Sequence, residues 1–133
     1  MVLFPKTLTS VPGIGFVYSA AIIAEIGDIK RFPNHAALAK YSGLVWSKYQ
    51  SSSYVADNTP MIPSGNKYLR YYLIEAANKV RMHDTSFKRY YHLKYAEVTR
   101  HKHKRALALT ARKLVRLVFS LLNTNRLYIE PTK

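Results

Sequence analysis

Three consecutive serines, Ser51, Ser52 and Ser53, are the residues of this sequence with the clearest chemical potential. They follow Trp46 and Lys48 in a segment that has no helical periodicity. A serine hydroxyl can attack phosphorus when the surrounding site holds the phosphate and lowers the barrier to proton loss. Serines in a polar segment are far more often exposed turn residues, so this cluster by itself does not predict an enzyme.

Metal-binding patterns are weak in this sequence. The seven acidic residues are scattered singly, so no pair is spaced for two-metal phosphoryl chemistry within one element. His101 and His103 have the spacing of a metal pair, but their cationic neighbours repel a metal ion, and we interpret them as part of a solvated basic turn that faces phosphate. No role is predicted for His35, His83 or His92. We expect no metal and no cofactor in this chain.

A glycine-containing hairpin, Ser10–Gly15, directly precedes an apolar periodic segment. Gly13 and Gly15 can approach another backbone closely because they lack a Cβ. The first N–H groups of the following helix have no intrahelical partner and can bind phosphate. The pattern resembles the second half of a helix-hairpin-helix, a module that holds the nucleic-acid backbone without reading bases. An ordinary loop before a buried helix is the alternative.

The charge of the chain indicates a polyanionic partner. Twenty-one Lys and Arg residues against seven Asp and Glu give a formal charge of +14, which is more than solubility requires. Positions 66–116 hold fourteen basic and three acidic residues, so the basic surface belongs to the C-terminal half. There is no cysteine, no signal-peptide pattern and no apolar run as long as a membrane span, and we therefore expect a cytoplasmic location without a membrane partner.

The elements that must position these residues are predicted to be helices of one domain, 1–133. Helices are expected at 16–25, from the N-cap Asn34 to about Gly43, from Asn66 onward, and at 86–98 and 104–122. The segment 44–64 is predicted to be an irregular or short-hairpin arm. The fold class is all-α. The helix from Asn66 onward and the helix at 104–122 each carry an apolar stripe that is predicted to be buried, at Leu69, Leu73, Ala76, Ala77, Val80, Leu107, Ala111, Leu114, Val118 and Leu121.

Eleven tyrosines are interleaved with lysine and arginine. Such tyrosines can stack on bases or hydrogen-bond phosphates, as in proteins that bind single strands or RNA. For any individual ring, a partly buried position in the core with a hydrated hydroxyl is the more frequent situation, and Tyr72 and Tyr95 are assigned to it. The tyrosines favour nucleic-acid binding only as a group.

Several motifs, in order and at matching spacing, resemble the C-terminal transposase domain of the insertion-sequence one-hundred-and-ten family. The resemblance covers nearly the whole chain, to about Tyr128. The motifs are Thr9-Ser10-Val11-Pro12-Gly13-Ile14-Gly15, Ile22-Ile23-Ala24-Glu25-Ile26-Gly27-Asp28-Ile29, Arg31-Phe32, Tyr41-Ser42-Gly43-Leu44, Tyr49-Gln50-Ser51, Gly65-Asn66-Lys67-Tyr68-Leu69-Arg70-Tyr71-Tyr72-Leu73, Lys94-Tyr95-Ala96-Glu97-Val98 and His103-Lys104-Arg105-Ala106-Leu107.

This resemblance implies a DNA recombinase of mobile elements that is built from two parts. An N-terminal RuvC-like domain would hold Mg²⁺ through four acidic ligands, and this C-terminal domain would supply a nucleophilic serine. The family's Gln-Ser-Gly pattern maps that serine onto Ser51, which would form a phosphoserine link to DNA. Ser52 stands where the family has glycine and is the alternative nucleophile. Pro63-Ser64 stands where a basic residue is usual, so a phosphate contact is missing there.

The partners implied by the resemblance are DNA, a guide RNA, the RuvC-like domain and further copies of the protein on DNA, in a bacterial or archaeal nucleoid. The chain is then a domain fragment or a truncated reading frame, divided into a helix-hairpin-helix-like part (7–43), a serine-bearing arm (44–64) and a basic helical part (65–128). The alternatives are a non-catalytic DNA- or RNA-binding module and an oligomerisation domain. The predicted nucleic-acid contacts are Gly13, Ile14, Gly15, Lys48, Gly65, Asn66, Lys67, Arg70, Lys104, Arg105, Arg112 and Arg116.

Overall fold

The computed structural model describes residues 6–46 and 65–131, and the regular structure in these ranges is helical. The prediction of an all-α domain is confirmed. None of the described helices is long and apolar enough to cross a membrane. The helices are α1 (Lys6–Thr9), α2 (Phe16–Ile26), α3 (His35–Ser42), α4 (Lys67–His83), α5 (Thr85–Glu97) and α6 (Lys102–Thr124), with a 3-10 turn at Ile29–Arg31 between α2 and α3.

Capping side chains set the ends of these helices. The Asn34 side chain accepts a hydrogen bond from the Ala37 N–H at 2.9 Å and begins α3, as predicted. Helix α5 begins one residue earlier than predicted, because Asp84 accepts from the Phe87 N–H at 3.0 Å and caps the helix. Helix α6 extends two residues beyond the predicted bounds at each end.

Helix α6 is the longest element and packs against α3, α4 and α5. The ten predicted core positions on α4 and α6 are all buried, which confirms both apolar stripes. Leu44 is also fully buried and its N–H donates to the Ala39 carbonyl at 3.0 Å, so the start of the predicted arm belongs to the core. Most of the remaining arm lies outside the described residues.

Helices α2 and α4 pack in antiparallel orientation. A Cβ at Gly13, just before α2, would lie 2.7 Å from the Lys79 carbonyl near the end of α4. At the other end of the pair, the Asn66 side chain donates to Glu25 Oε1 at 3.0 Å. The start of each helix therefore lies beside the end of the other.

The C-terminal segment after α6 returns to the hairpin that precedes α2. The Tyr128 N–H donates to Ser10 Oγ at 2.8 Å, and the Thr85 N–H donates to Glu130 Oε2 at 3.0 Å. These bonds connect the C-terminal segment to the hairpin before α2 and to the α4–α5 junction. The hairpin is thus supported from both sides, by α4 and by the C-terminal segment.

Candidate nucleic-acid interface

The predicted hairpin connects α1 to α2. Gly13 has a φ of +102° and lies against the backbone of Lys79 and Val80, so a side chain is excluded there by both conformation and space. Gly15 has an ordinary negative φ of −87°, and no side chain caps α2. The Ile14 side chain is buried, so any ligand contact at this residue would be made by its backbone.

An open depression of about 450 Å³ lies beside the start of α2. It is lined by Pro12, Gly13, Ile14, Gly15 and His83. Helix α2 has no side-chain cap, and the depression beside its start is open to an anion that approaches the helix. His83, to which the sequence assigned no role, contributes from the last turn of α4.

Gly65 and Asn66 directly precede α4, and both have structural roles. Gly65 has a φ of +96°, and a Cβ there would lie 2.6 Å from the backbone nitrogen of Gly43. The Asn66 carbonyl oxygen of the side chain accepts from the Tyr68 and Leu69 N–H groups at 2.9 and 3.0 Å. Asn66 therefore caps α4 itself, and phosphate binding at this helix start remains a prediction.

The structure does not bring these two predicted phosphate sites together. Gly13 contacts α4 at Lys79, thirteen residues after Asn66, which at 1.5 Å per residue is about 20 Å along the helix axis. The hairpin and the start of α4 could therefore contact separate phosphates of one ligand, and they cannot hold the same phosphate.

The remaining described residues of the predicted interface are cations on α4 and α6. Lys67 and Lys104 are exposed, Arg70 and Arg105 are half-buried with intramolecular contacts, and Arg112 is half-buried. Arg116 is exposed one turn after Arg112. Ser51, Ser52 and Lys48 lie outside the described residues, so their roles remain predictions.

Aromatic rings, rather than carboxylates, support many of the cations. Lys113 Nζ lies 5.2 Å from the ring centroids of both Phe87 and Tyr90, and the Arg81 guanidinium lies 4.3 Å from the Tyr91 ring. Such contacts hold a cation in place without cancelling its charge. The other described pairs are Arg31 with Phe32 and Tyr41, Lys67 with Tyr68, Lys94 with Tyr90, and Lys102 with Tyr95.

The carboxylates of the described residues are used in other contacts. Lys94 Nζ and Glu97 Oε1 form an ion pair at 3.2 Å. The other described acids bond amides, backbone N–H groups or tyrosine hydroxyls: Glu25 with Asn66, Asp28 with Lys30, Glu75 with Tyr18, Asp84 with Phe87 and Tyr128, and Glu130 with Thr85. The positive charge of the described helices is therefore mostly unneutralised.

The described acids do not fit a divalent metal ion. No three His, Asp or Glu side chains converge anywhere in the described ranges. The carboxylates are dispersed over α2, α4, α5, the α4–α5 junction, the 3-10 turn and the C-terminal segment, and each is engaged as given above. We derive no metal-dependent step from them.

Histidines and tyrosines differ in part from the sequence-based expectation. His103 is not simply a solvated residue, because its Nδ1 lies 2.6 Å from the Tyr91 hydroxyl. Tyr72 is half-buried against the core, as assigned, whereas Tyr95 is 40% exposed and that assignment was wrong. Tyr95 sits near the end of α5, where its ring faces Lys102 rather than the core.

The sequence analysis also missed the pairing of His35 with Arg112. Arg112 Nη2 lies 3.2 Å from His35 Nδ1, joining the start of α3 to α6 across 77 positions of sequence. Burial and then the charges of Arg112 and Arg116 lower the pKa of His35. No local spacing signals a pair so distant in sequence.

Together these features define a basic, all-helical domain in which basic residues outnumber acidic ones. The chain belongs to the IS116/IS110/IS902 transposase family, whose family model matches residues 6–92. It is 30% identical over 122 residues to a Streptomyces coelicolor protein described as the insertion element IS110 uncharacterized 43.6 kDa protein. That match covers 91% of this chain but 29% of the Streptomyces protein, and no solved structure matches the chain.

Proposed function

We propose that this chain is the DNA-binding, serine-bearing domain of a transposase and that Ser51 is its nucleophile. Family membership supports the transposase activity of the whole protein. The observation that carries DNA binding is the set of cations held on aromatic faces, in a sequence with 21 basic and 7 acidic residues. Because a DNA duplex is a dense polyanion, binding it neutralises these cations and releases counterions.

Two features support backbone recognition without base reading. The start of α2 has no side-chain cap and borders an open depression, which suits a phosphate oxygen. Lys67, Arg105 and Arg116 then extend the contact with further phosphates along α4 and α6. The helix-hairpin-helix interpretation of residues 7–43 is part of this proposal.

The described residues on either side of 47–64 meet in a single place. Gly65 packs against Gly43, and the Asn66 N–H donates to the Tyr41 carbonyl at 2.6 Å. Described residues on the two sides of 47–64 therefore lie close together, and Lys67 follows two residues after Gly65. The nucleophilic role proposed for Ser51 itself rests on the family resemblance.

The proposed reaction is a phosphoryl transfer. The Ser51 Oγ–P bond forms as the P–O bond to deoxyribose breaks, the serine proton passes to solvent, and the leaving deoxyribose oxygen takes up a proton to become a hydroxyl. The phosphoserine link conserves the bond for later strand exchange. Mg²⁺ would be bound by acidic residues of a RuvC-like domain, and a guide RNA would direct target choice.

Nucleic-acid binding can be tested on the purified chain by fluorescence anisotropy with a labelled DNA duplex over a range of salt concentrations. We expect the logarithm of affinity to fall linearly with the logarithm of salt, with a slope of about −0.9 for each phosphate contacted. A single-stranded RNA of the same length measures the RNA preference. Salt-independent or undetectable binding to both would contradict the proposal.

The serine role requires the rest of the enzyme. The chain is mixed with a separately expressed RuvC-like domain, guide RNA, Mg²⁺ and donor DNA, and intact-mass analysis looks for a covalent DNA adduct. We expect an adduct on Ser51 that is lost in Ser51→Ala and retained in the adjacent controls Ser52→Ala and Ser53→Ala. An adduct lost in Ser52→Ala instead would identify Ser52.

A non-catalytic binding module is the second candidate, because the cations held on aromatic rings account for nucleic-acid binding without a nucleophile. In a full-length relative, substitution of the serine that aligns with Ser51 distinguishes the two. If recombination is lost while DNA affinity is unchanged, the serine is catalytic. If recombination persists, this domain binds DNA without supplying the nucleophile.

A further inference from the structure

Three basic side chains from two helices meet on the surface between α3 and α6. His35 is the first residue of α3, and its Nδ1 lies 3.2 Å from Arg112 Nη2. Arg116 follows one turn later on α6, close enough for its charge to act on both residues. Among the described residues, the charges that act on His35 are those of Arg112 and Arg116.

The helix α5 contributes the other charged and titratable groups near this cluster. Burial raises the pKa of Tyr90, whose surroundings include Lys94, Glu97 and Arg112. Glu97, the one carboxylate in this set, is paired with Lys94 at 3.2 Å. Among the described residues, no carboxylate therefore acts on His35 or Arg112.

The protonation of the cluster follows from its hydrogen bond. A guanidinium can only donate, so His35 Nδ1 must accept from Arg112, and a neutral His35 carries its proton on Nε2. Burial and then the charge of Arg116 lower the pKa of Arg112, so its charged form is destabilised in the free site. An anion bound here would stabilise that charged form.

We infer that His35, Arg112 and Arg116 form a phosphate-binding site that takes up a proton when it is occupied. The phosphate would lie between the two guanidinium groups, which suit its oxygens. Its negative charge reverses the field at His35, so the imidazole gains a proton from solvent and becomes a donor to the phosphate. The inference rests on the proposed function, because the ligand is a phosphate of the nucleic-acid backbone.

The sign of the pH dependence follows. The free site holds His35 neutral at pH values where an ordinary histidine is partly charged, and occupancy stabilises the charged form. Affinity for phosphate therefore rises as the pH falls through the pKa of the occupied site. It levels off below the pKa of the free site, where His35 is charged in both states.

The test uses the full chain with isotope-labelled histidine, and NMR follows each imidazole from about pH 5 to about pH 8. Titrations are made without ligand, with inorganic phosphate and with a DNA duplex. We expect both ligands to move the His35 midpoint to higher pH and to leave that of His92, exposed on α5, unchanged. Arg116→Gln should abolish the shift, and Lys30→Gln, at the 3-10 turn, should retain it.

A second experiment measures binding of the wild type and of His35→Gln to the same duplex by fluorescence anisotropy. We expect several-fold tighter wild-type binding at the acidic end of the range than at neutral pH, and a smaller change in the variant. DNA binding without movement of the His35 midpoint would overturn the inference and leave the proposed function intact. A shift with inorganic phosphate but no DNA binding would overturn both the nucleic-acid ligand and the proposed function.

Discussion

The Tyr128 hydroxyl donates a hydrogen bond to Asp84 Oδ1 at 2.6 Å, joining the C-terminal segment to the α4–α5 junction. Asp84 is almost completely buried, and its other oxygen caps α5. Tyr128→Phe leaves this buried carboxylate short of one donor. We expect a loss of about 2 kcal/mol in the free energy of unfolding, measured by chemical denaturation. Tyr68→Phe, at an exposed ring, is the matched control, and equal losses in the two variants would contradict the assignment.

The same contact makes the free energy of unfolding decrease at alkaline pH. Burial, followed by the hydrogen bond to Asp84, raises the pKa of Tyr128 above its ordinary value of about 10. The folded state thus keeps a proton that the unfolded state loses, and the contribution is complete below about pH 10 and declines as pH rises beyond it. Between about pH 9 and about pH 11, the free energy of unfolding should fall more for the wild type than for Tyr128→Phe. Parallel declines would refute this.

Asn66 combines a helix cap with contacts to α2 and α3, so its removal should cost more than the loss of a simple cap. Asn66→Ala removes the acceptor for two N–H groups of α4 and the donor to Glu25. We expect a loss of about 2 to 3 kcal/mol by denaturation. Asn34→Ala, which removes a cap of α3 alone, should cost about 1 kcal/mol. A smaller effect at Asn66 than at Asn34 would show that its contacts to α2 and α3 add nothing.

Gly13 and Gly15 should respond differently to the same substitution. Alanine at position 13 would place its Cβ 2.7 Å from backbone atoms of Lys79 and Val80, at a φ of +102°, whereas nothing lies within 4 Å at position 15. We expect Gly13→Ala to lower the free energy of unfolding by about 3 kcal/mol or more and Gly15→Ala by less than about 1 kcal/mol. Thermal unfolding of both variants measures this. Similar values would contradict the close approach of the hairpin to α4.

Lys67 tests the predicted footprint on DNA. Its ammonium lies over the Tyr68 ring and has no carboxylate partner among the described residues. Lys67→Gln should lower the magnitude of the salt slope for duplex binding by about 0.9, the equivalent of one phosphate. Lys30→Gln is the control, because Lys30 Nζ is bonded to Asn123. An unchanged slope in Lys67→Gln would remove this residue from the interface.

The helices were predictable because their signals are local. The stripe on α4 and the Asn34 cap each depend on residues within a few turns of one another, and both are confirmed. Asp84 was missed as the cap of α5, although its spacing to Phe87 carries that signal. The pair of His35 and Arg112 could not be predicted, since it depends on how α3 packs against α6. For Ser51 the evidence is the family resemblance, and no structural finding adds to it.

The contact of Gly65 with Gly43 brings together described residues on the two sides of positions 47–64. The hydrogen bond from the Asn66 N–H to the Tyr41 carbonyl is likewise made by residues outside 47–64. Each doubling of a flexible connection costs only about 0.6 kcal/mol in closure entropy. Adding or removing residues within 47–64 would therefore cost little closure entropy and leave the contacts between the described helices in place.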